Sequence, residues 1–125
     1  MLKNSPFYAG FAVDDPAKAR DFYAGTLGVD VIELAPGLLT LRAGNGYAVL
    51  IYEKADHEPA THTVLNFPVD DIEAAVDELR EAGVEFEQYE GDIATDEKGI
   101  AEPGGGPRIA WFRDPAGNIL SVIES

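Results

Sequence analysis

The sequence states one pattern twice. Val13-Asp14-Asp15 returns as Val69-Asp70-Asp71, and Leu27-Gly28-Val29 returns as Ala82-Gly83-Val84. Gly46-Tyr-Ala-Val-Leu-Ile-Tyr-Glu53 lies over Gly117-Asn-Ile-Leu-Ser-Val-Ile-Glu124. A repeat of this size means that each half is one supersecondary unit, too small to bury its apolar face well alone. The 125 residues therefore form one domain made of two half-size modules, residues 1–55 and 61–125. A polar linker containing Pro59 joins them over residues 54–61.

Within each half the pattern reads as a strand, a helix and three strands. Residues 6–13 predict the first strand. Asp15 before Pro16 predicts a helix start, since the carboxylate caps free N–H groups and Pro suits the first turn. Ala19, Phe22, Tyr23 and Leu27 make an apolar stripe at helical spacing, which Gly28 ends. Strands follow at 29–34, 38–43 and 47–52, separated by Pro36-Gly37 and Gly44-Asn45-Gly46.

In the second half the strand is 61–69. Asp70-Asp71 starts a helix, with Glu73 placed to complete a capping box from Asp70. Ile72, Ala75, Val76 and Leu79 form its stripe, and Gly83 closes it. Strands are predicted at 84–89, 108–112 and 119–123. The stretch 91–107 reads as a long connection of hinge-like composition, since it contains Pro103-Gly-Gly-Gly-Pro107. In Phe112-Arg-Asp-Pro-Ala-Gly-Asn118, Asp114-Pro115 opens a tight turn and Gly117-Asn118 are residue types that tolerate positive φ.

Charge and composition exclude several functions. With 23 acidic and 9 basic residues the net charge is -14, which argues against binding nucleic acid phosphates and suits a cationic guest. The absence of cysteine excludes thiolate nucleophiles, disulfides and Cys-ligated zinc. No apolar run reaches the ~20 residues of a membrane span, and the amino terminus carries no apolar signal region, so a cytoplasmic location is expected. His57 and His62 do not form a zinc-protease helix, because their spacing is i+5 and Pro59 interrupts it. The Pro103–Pro107 glycines lack the Gly-Lys-Ser/Thr ending of a phosphate loop.

The repeated Val-x-Asp, Phe22-Tyr23, Leu27-Gly28, Ala82-Gly83-Val84 and Phe112–Asn118 motifs, in this order, resemble the vicinal oxygen chelate superfamily. That superfamily includes glyoxalase I, extradiol dioxygenases and bleomycin-resistance proteins. The resemblance implies an α+β fold in which two βαβββ modules form a cup-shaped mixed sheet with helices outside. It also implies a small-molecule ligand and a homodimer, with modules paired within a chain or exchanged between chains. Metal-dependent members carry one ligand at each of four inward strand positions. Counting from the motifs places Tyr8, Leu50, Val64 and Ser121 there, none of them a carboxylate or imidazole. The resemblance thus points towards the metal-free, antibiotic-binding branch, with no cofactor. The alternative is a lyase, isomerase or dioxygenase of the same superfamily.

The expected ligand-binding residues are Tyr8, Leu50, Tyr52, His62, Val64, Asn66, Trp111, Ser121 and Ile123. Tyr8 offers a ring and a hydroxyl. Side-chain alternation sets His62, Val64 and Asn66 on one face of their strand, Leu50 with Tyr52, and Ser121 with Ile123. It turns Glu53 and Glu124 the other way, and it assigns no face to Trp111. His62 is either a solvated histidine at a strand start or a polar contact, and with Tyr8 it is the candidate for acid–base work. The expectation is a protein that sequesters a cationic or aromatic compound.

Overall fold

In a computed structural model describing all 125 residues, the chain divides into two compact units, Met1–His57 and Glu58–Ser125. Each contains a four-stranded mixed sheet and one helix.

In the first unit the strands are β1 (Ala9–Val13), β2 (Asp30–Ala35), β3 (Leu38–Arg42) and β4 (Ala48–Glu53), ordered β1-β4-β3-β2. β1 runs parallel to β4, and the other pairs are antiparallel. The first strand begins at Ala9, so Pro6, Phe7 and Tyr8 precede it. Asp15 caps helix α1 (Pro16–Arg20) by accepting the Lys18 N–H at 3.2 Å. The helix widens into a π-helical turn over Asp21–Thr26, which buries Tyr23 completely. Its ring meets Phe22 edge-on at 5.2 Å, and Phe11 lies at 6.1 Å. Leu39, Leu41 and Ile51 complete this core. Burial of each such side chain stabilises by about 1.5–3 kcal/mol.

The second unit repeats the plan with β5 (Thr63–Val69), α2 (Ile72–Glu81), β6 (Ile100–Ala101), β7 (Ile109–Arg113) and β8 (Ile119–Glu124), ordered β5-β8-β7-β6. Ile72 and Val76 of α2 are fully buried, as are Ala110, Phe112 and Leu120 of the sheet. The repeat is preserved in register: Leu50 pairs with Gly10 across β1–β4, and Ser121 pairs with Asn66 across β5–β8.

Two details depart from the sequence expectation. The helix cap is Asp71, which accepts the Ala74 N–H at 3.1 Å, and not Asp70. Glu73 therefore sits inside the first turn and forms no capping box from Asp70; it pairs with Arg108 and Lys98.

The stretch 84–89 is not a strand. It touches the sheet through a single bridge, Phe86 to Phe112, and one bond from the Glu87 N–H to the Trp111 carbonyl at 2.8 Å. Ile100–Ala101, from the supposed hinge, pairs with β7 in its place. Gly99 permits this, because a β carbon there would lie 2.8 Å from Cβ of Phe86, and its φ of 88° suits glycine. The rest of the 91–107 connection is shaped by 3₁₀ turns at Gly91–Ile93 and Pro103–Gly105.

Candidate functional site

The two faces of the second sheet are chemically distinct. α2 covers the face bearing Leu120, Val122 and Glu124, as shown by the Glu124 carboxylate accepting the Ile72 N–H at 3.0 Å. Alternation sends Ile119, Ser121 and Ile123 to the opposite, helix-free face. Strand register adds Trp111 (opposite Ser121), Ile109 (opposite Ile123) and Arg113 (opposite Ile119) from β7, and Asn66 and Pro68 from β5. Trp111, Ser121 and Asn66 thus form one row across three strands. This settles the face of Trp111 that alternation alone leaves open.

The row is tied together by hydrogen bonds. The Ser121 hydroxyl donates to Oδ1 of Asn66 at 2.5 Å. Ser121 is wholly buried and Asn66 is exposed. The Trp111 indole Nε1–H donates to Oγ1 of Thr63 at 3.1 Å, and the Tyr89 ring abuts the indole edge-on at 5.3 Å. The indole is therefore held from two sides.

Thr63 reaches this face because of a bulge. β5 advances from Thr63 to Leu65 while β8 advances only from Ile119 to Leu120, so Val64 is an extra residue. The bulge reverses the alternation upstream of Leu65. The expected grouping of His62, Val64 and Asn66 on one face is thereby broken, and Thr63 takes the place beside Asn66. His62 lies exposed just outside the strand. Thr63 and Tyr89 were not singled out by the sequence, since a bulge has no residue signature here and Tyr89 belongs to the stretch expected as a strand.

The matching row of the first sheet is Gly10, Leu50 and Thr40. A β carbon at Gly10 would lie 3.1 Å from the Leu50 carbonyl oxygen, so glycine keeps this row low. Tyr52 shares the Leu50 face, opposite Ala12, and is partly exposed. Tyr8 precedes β1 and is 63% exposed. The first sheet thus presents Leu50 between Gly10 and Thr40 where the second presents Ser121 between Asn66 and Trp111.

Tyr8, Leu50, Val64 and Ser121 do not fit a divalent ion. None carries the imidazole or carboxylate such an ion requires, the Ser121 proton is committed to Asn66, and Val64 is the bulge residue. No group of three or more His, Asp or Glu side chains in the structure could hold a metal.

The charged groups of the second unit that titrate away from their usual values lie on its helix side. Glu124 also accepts from Arg108, at 3.3 Å from Nε and 3.2 Å from Nη2. The Arg108 bond, and then the Ile72 N–H, hold the Glu124 carboxyl below its ordinary pKa. Arg108 continues to Glu73 at 3.0 Å, and Lys98 bridges Glu73 and Asp77 at 3.0 and 2.8 Å. The Asp77 and Glu73 bonds push the Lys98 ammonium up. On the helix-free face the only charged side chain of the strand rows is Arg113, which pairs with Glu87 and donates to the Gly117 carbonyl at 3.0 Å.

The fold is shared with solved structures. A member of the glyoxalase/bleomycin resistance protein/dioxygenase superfamily from Sphaerobacter thermophilus DSM 20745 matches with a TM-score of 0.75 and 26% identity, covering 100% of both chains. A lactoylglutathione lyase from Agrobacterium tumefaciens matches at 0.67 and 23% identity, covering 98% of this chain and 96% of that one. A glyoxalase/bleomycin resistance protein from Catenulispora acidiphila DSM 44928 matches at 0.68 and 23% identity, covering 95% and 96%. A search of the curated proteins finds no match. No helix is long and apolar enough to cross a membrane. The family model that matches the sequence spans residues 6–122, so nearly the whole repeat falls inside it, and the chain belongs to the Glyoxalase/Bleomycin resistance protein/Dioxygenase superfamily.

Proposed function

We propose that the protein is a metal-free small-molecule-binding protein of the bleomycin-resistance type, holding an aromatic compound against the helix-free face of its second sheet. The observation that carries this reading is the Trp111–Ser121–Asn66 row, in which a flat indole fixed by Thr63 lies beside polar groups that can orient a guest. The residues at the four metal-ligand positions support the metal-free part. Ile123 and Ile109 extend the row with apolar surface, and Leu50, Tyr52 and Tyr8 are proposed as ligand contacts within the first unit by itself. The protein is proposed to act in the cytoplasm as a homodimer, without nucleic acid or membrane partners.

Calorimetric titration of a panel of fused-ring aromatic compounds tests the reading. Binding tighter than about 1 mM, or -4 kcal/mol, by at least one class is expected. Failure of the whole panel to bind would overturn it. Near-stoichiometric zinc, iron, nickel or manganese in protein purified without chelators would instead favour an enzyme of the superfamily and overturn the metal-free part.

A further inference from the structure

We propose that the Thr63–Asn66–Ser121–Trp111 row selects hydrogen-bond-accepting aromatic ligands, such as aryl ketones, over cationic ones, with Asn66 as donor and Ser121 as its positioning residue. The inference deepens the proposed function and rests on it.

The argument is an accounting of protons. Ser121 is wholly buried, and its hydroxyl hydrogen goes to Oδ1 of Asn66. Turning the Asn66 amide over would set its N–H against the serine oxygen and leave the buried hydroxyl hydrogen without an acceptor, at a cost of about 1–3 kcal/mol. The amide is therefore held with its oxygen inward, and both Nδ2 hydrogens remain available on an exposed residue. Thr63 spends a lone pair on the indole N–H, so its own hydroxyl hydrogen remains to be given. With the Ser121 oxygen buried, the row offers a guest the two Asn66 amide hydrogens and the Thr63 hydroxyl hydrogen against one remaining lone pair on each of Thr63 Oγ1 and Asn66 Oδ1.

Charge on this face points the same way. The chain has 23 acidic residues, yet none lies on the strand positions of the helix-free face, where Ile109, Trp111, Arg113, Ile119, Ser121, Ile123, Thr63, Asn66 and Pro68 fall. An ammonium group placed at the row would meet the Asn66 and Thr63 donors, since the Glu87 carboxylate that reaches this face is already paired with Arg113. The negative net charge attracts cations to the molecule as a whole, and that attraction is screened by salt. The local preference for an acceptor is not.

The test uses two naphthalene probes, 1-acetylnaphthalene, a neutral acceptor, and 1-(aminomethyl)naphthalene, a cationic donor. Trp111 is the only tryptophan, so quenching of its emission reports binding near the row. At an ionic strength of about 0.5 M, which suppresses long-range attraction, the ketone should bind about tenfold more tightly than the amine. Asn66→Asp, nearly isosteric and exposed, exchanges donors for lone pairs and should reverse the preference. Ser121→Ala releases the amide and should reduce the preference about threefold; a merely structural role for Ser121 would lower the unfolding midpoint and leave the ratio unchanged.

A wild-type preference for the amine, or a ratio that Asn66→Asp does not change, overturns the inference while leaving the binding reading intact. If neither probe nor any member of the wider panel binds, both fall together.

Discussion

Asp114 and Asn118 close the β7–β8 turn on each other. The Asn118 Nδ2–H donates to one carboxylate oxygen of Asp114 at 3.0 Å, and the other oxygen accepts the Ala116 and Asn118 backbone N–H groups at 2.9 Å each. Both side chains are almost fully buried. The turn sets the register of β8 against β7, and so sets Ser121 opposite Trp111. Replacing Asn118 by Ala removes a charge-assisted bond from a buried carboxylate and should cost about 2 kcal/mol of stability. Urea denaturation of the two proteins at neutral pH checks this, and an unchanged midpoint would contradict it.

Gly117 stands in the same turn at φ 85°, and a β carbon there would lie 3.2 Å from Cγ of Pro59. Gly117→Ala should lose about 1–2 kcal/mol from the left-handed backbone alone. The Pro59 contact adds to that loss unless the proline ring gives way. A thermal melt showing no destabilisation would contradict the turn geometry.

Gly99 faces a harder obstacle, the Cβ of Phe86, which cannot swing aside as a side-chain tip can. Gly99→Ala should cost about 1–3 kcal/mol by overpacking, beyond the backbone term. Hydrogen exchange should show faster exchange at the Ile100 and Ala110 amides, where β6 meets β7. Exchange at wild-type rates would rule out Gly99 as the residue that seats the sheet edge.

The Glu124–Arg108 pair ties the last strand to α2 and sets a pH dependence. Folding lowers the Glu124 pKa below its ordinary 4.5, so its contribution is complete above that value and is lost as pH falls through the lower folded value. Lys98, raised above 10.5, acts in reverse: its contribution is present below that value and lost as pH rises through the higher folded one. Glu124→Gln should lower stability at neutral pH and reduce the further loss on going to about pH 3. Denaturation midpoints at the two pH values measure the difference, and an equal acid-induced loss in both proteins would count against it.

The Trp111–Thr63 bond gives a local optical test. Thr63→Val keeps the shape but leaves the indole N–H without its acceptor, for a loss of about 1–3 kcal/mol. The tryptophan near-ultraviolet circular dichroism should weaken because the ring is then held only by its packing. A spectrum identical to wild type would show that Thr63 does not fix the indole.

Much of the fold was legible because it depends on local chemistry stated twice. Asp15 opens the first helix and the Asp70-Asp71 pair marks the start of the second, while Gly28 and Gly83 close them. The alternation of Ile119–Ile123 turns Glu124 to the helix and Ser121 away from it. Apart from the one-residue shift of the α2 cap to Asp71, the departures lie where a residue's neighbour is distant in sequence. Phe86 lies in a run with strand-like composition, yet Gly99 and Ile100–Ala101 win the edge of the sheet by fitting beside it.

The sequence alone determined the duplicated βαβββ plan, the Asp15 cap, and the lack of carboxylate or imidazole at Tyr8, Leu50, Val64 and Ser121. Each of these follows from residue types at short range. Only the tertiary structure decided that Trp111 shares a row with Ser121, that a bulge at Val64 exchanges Thr63 for its neighbours, and that Asn66 Oδ1 accepts the Ser121 hydroxyl. Those facts depend on register between strands up to 55 residues apart, as from Asn66 to Ser121. One extra residue in one strand reverses every side chain before it, and no local preference in the sequence records that shift.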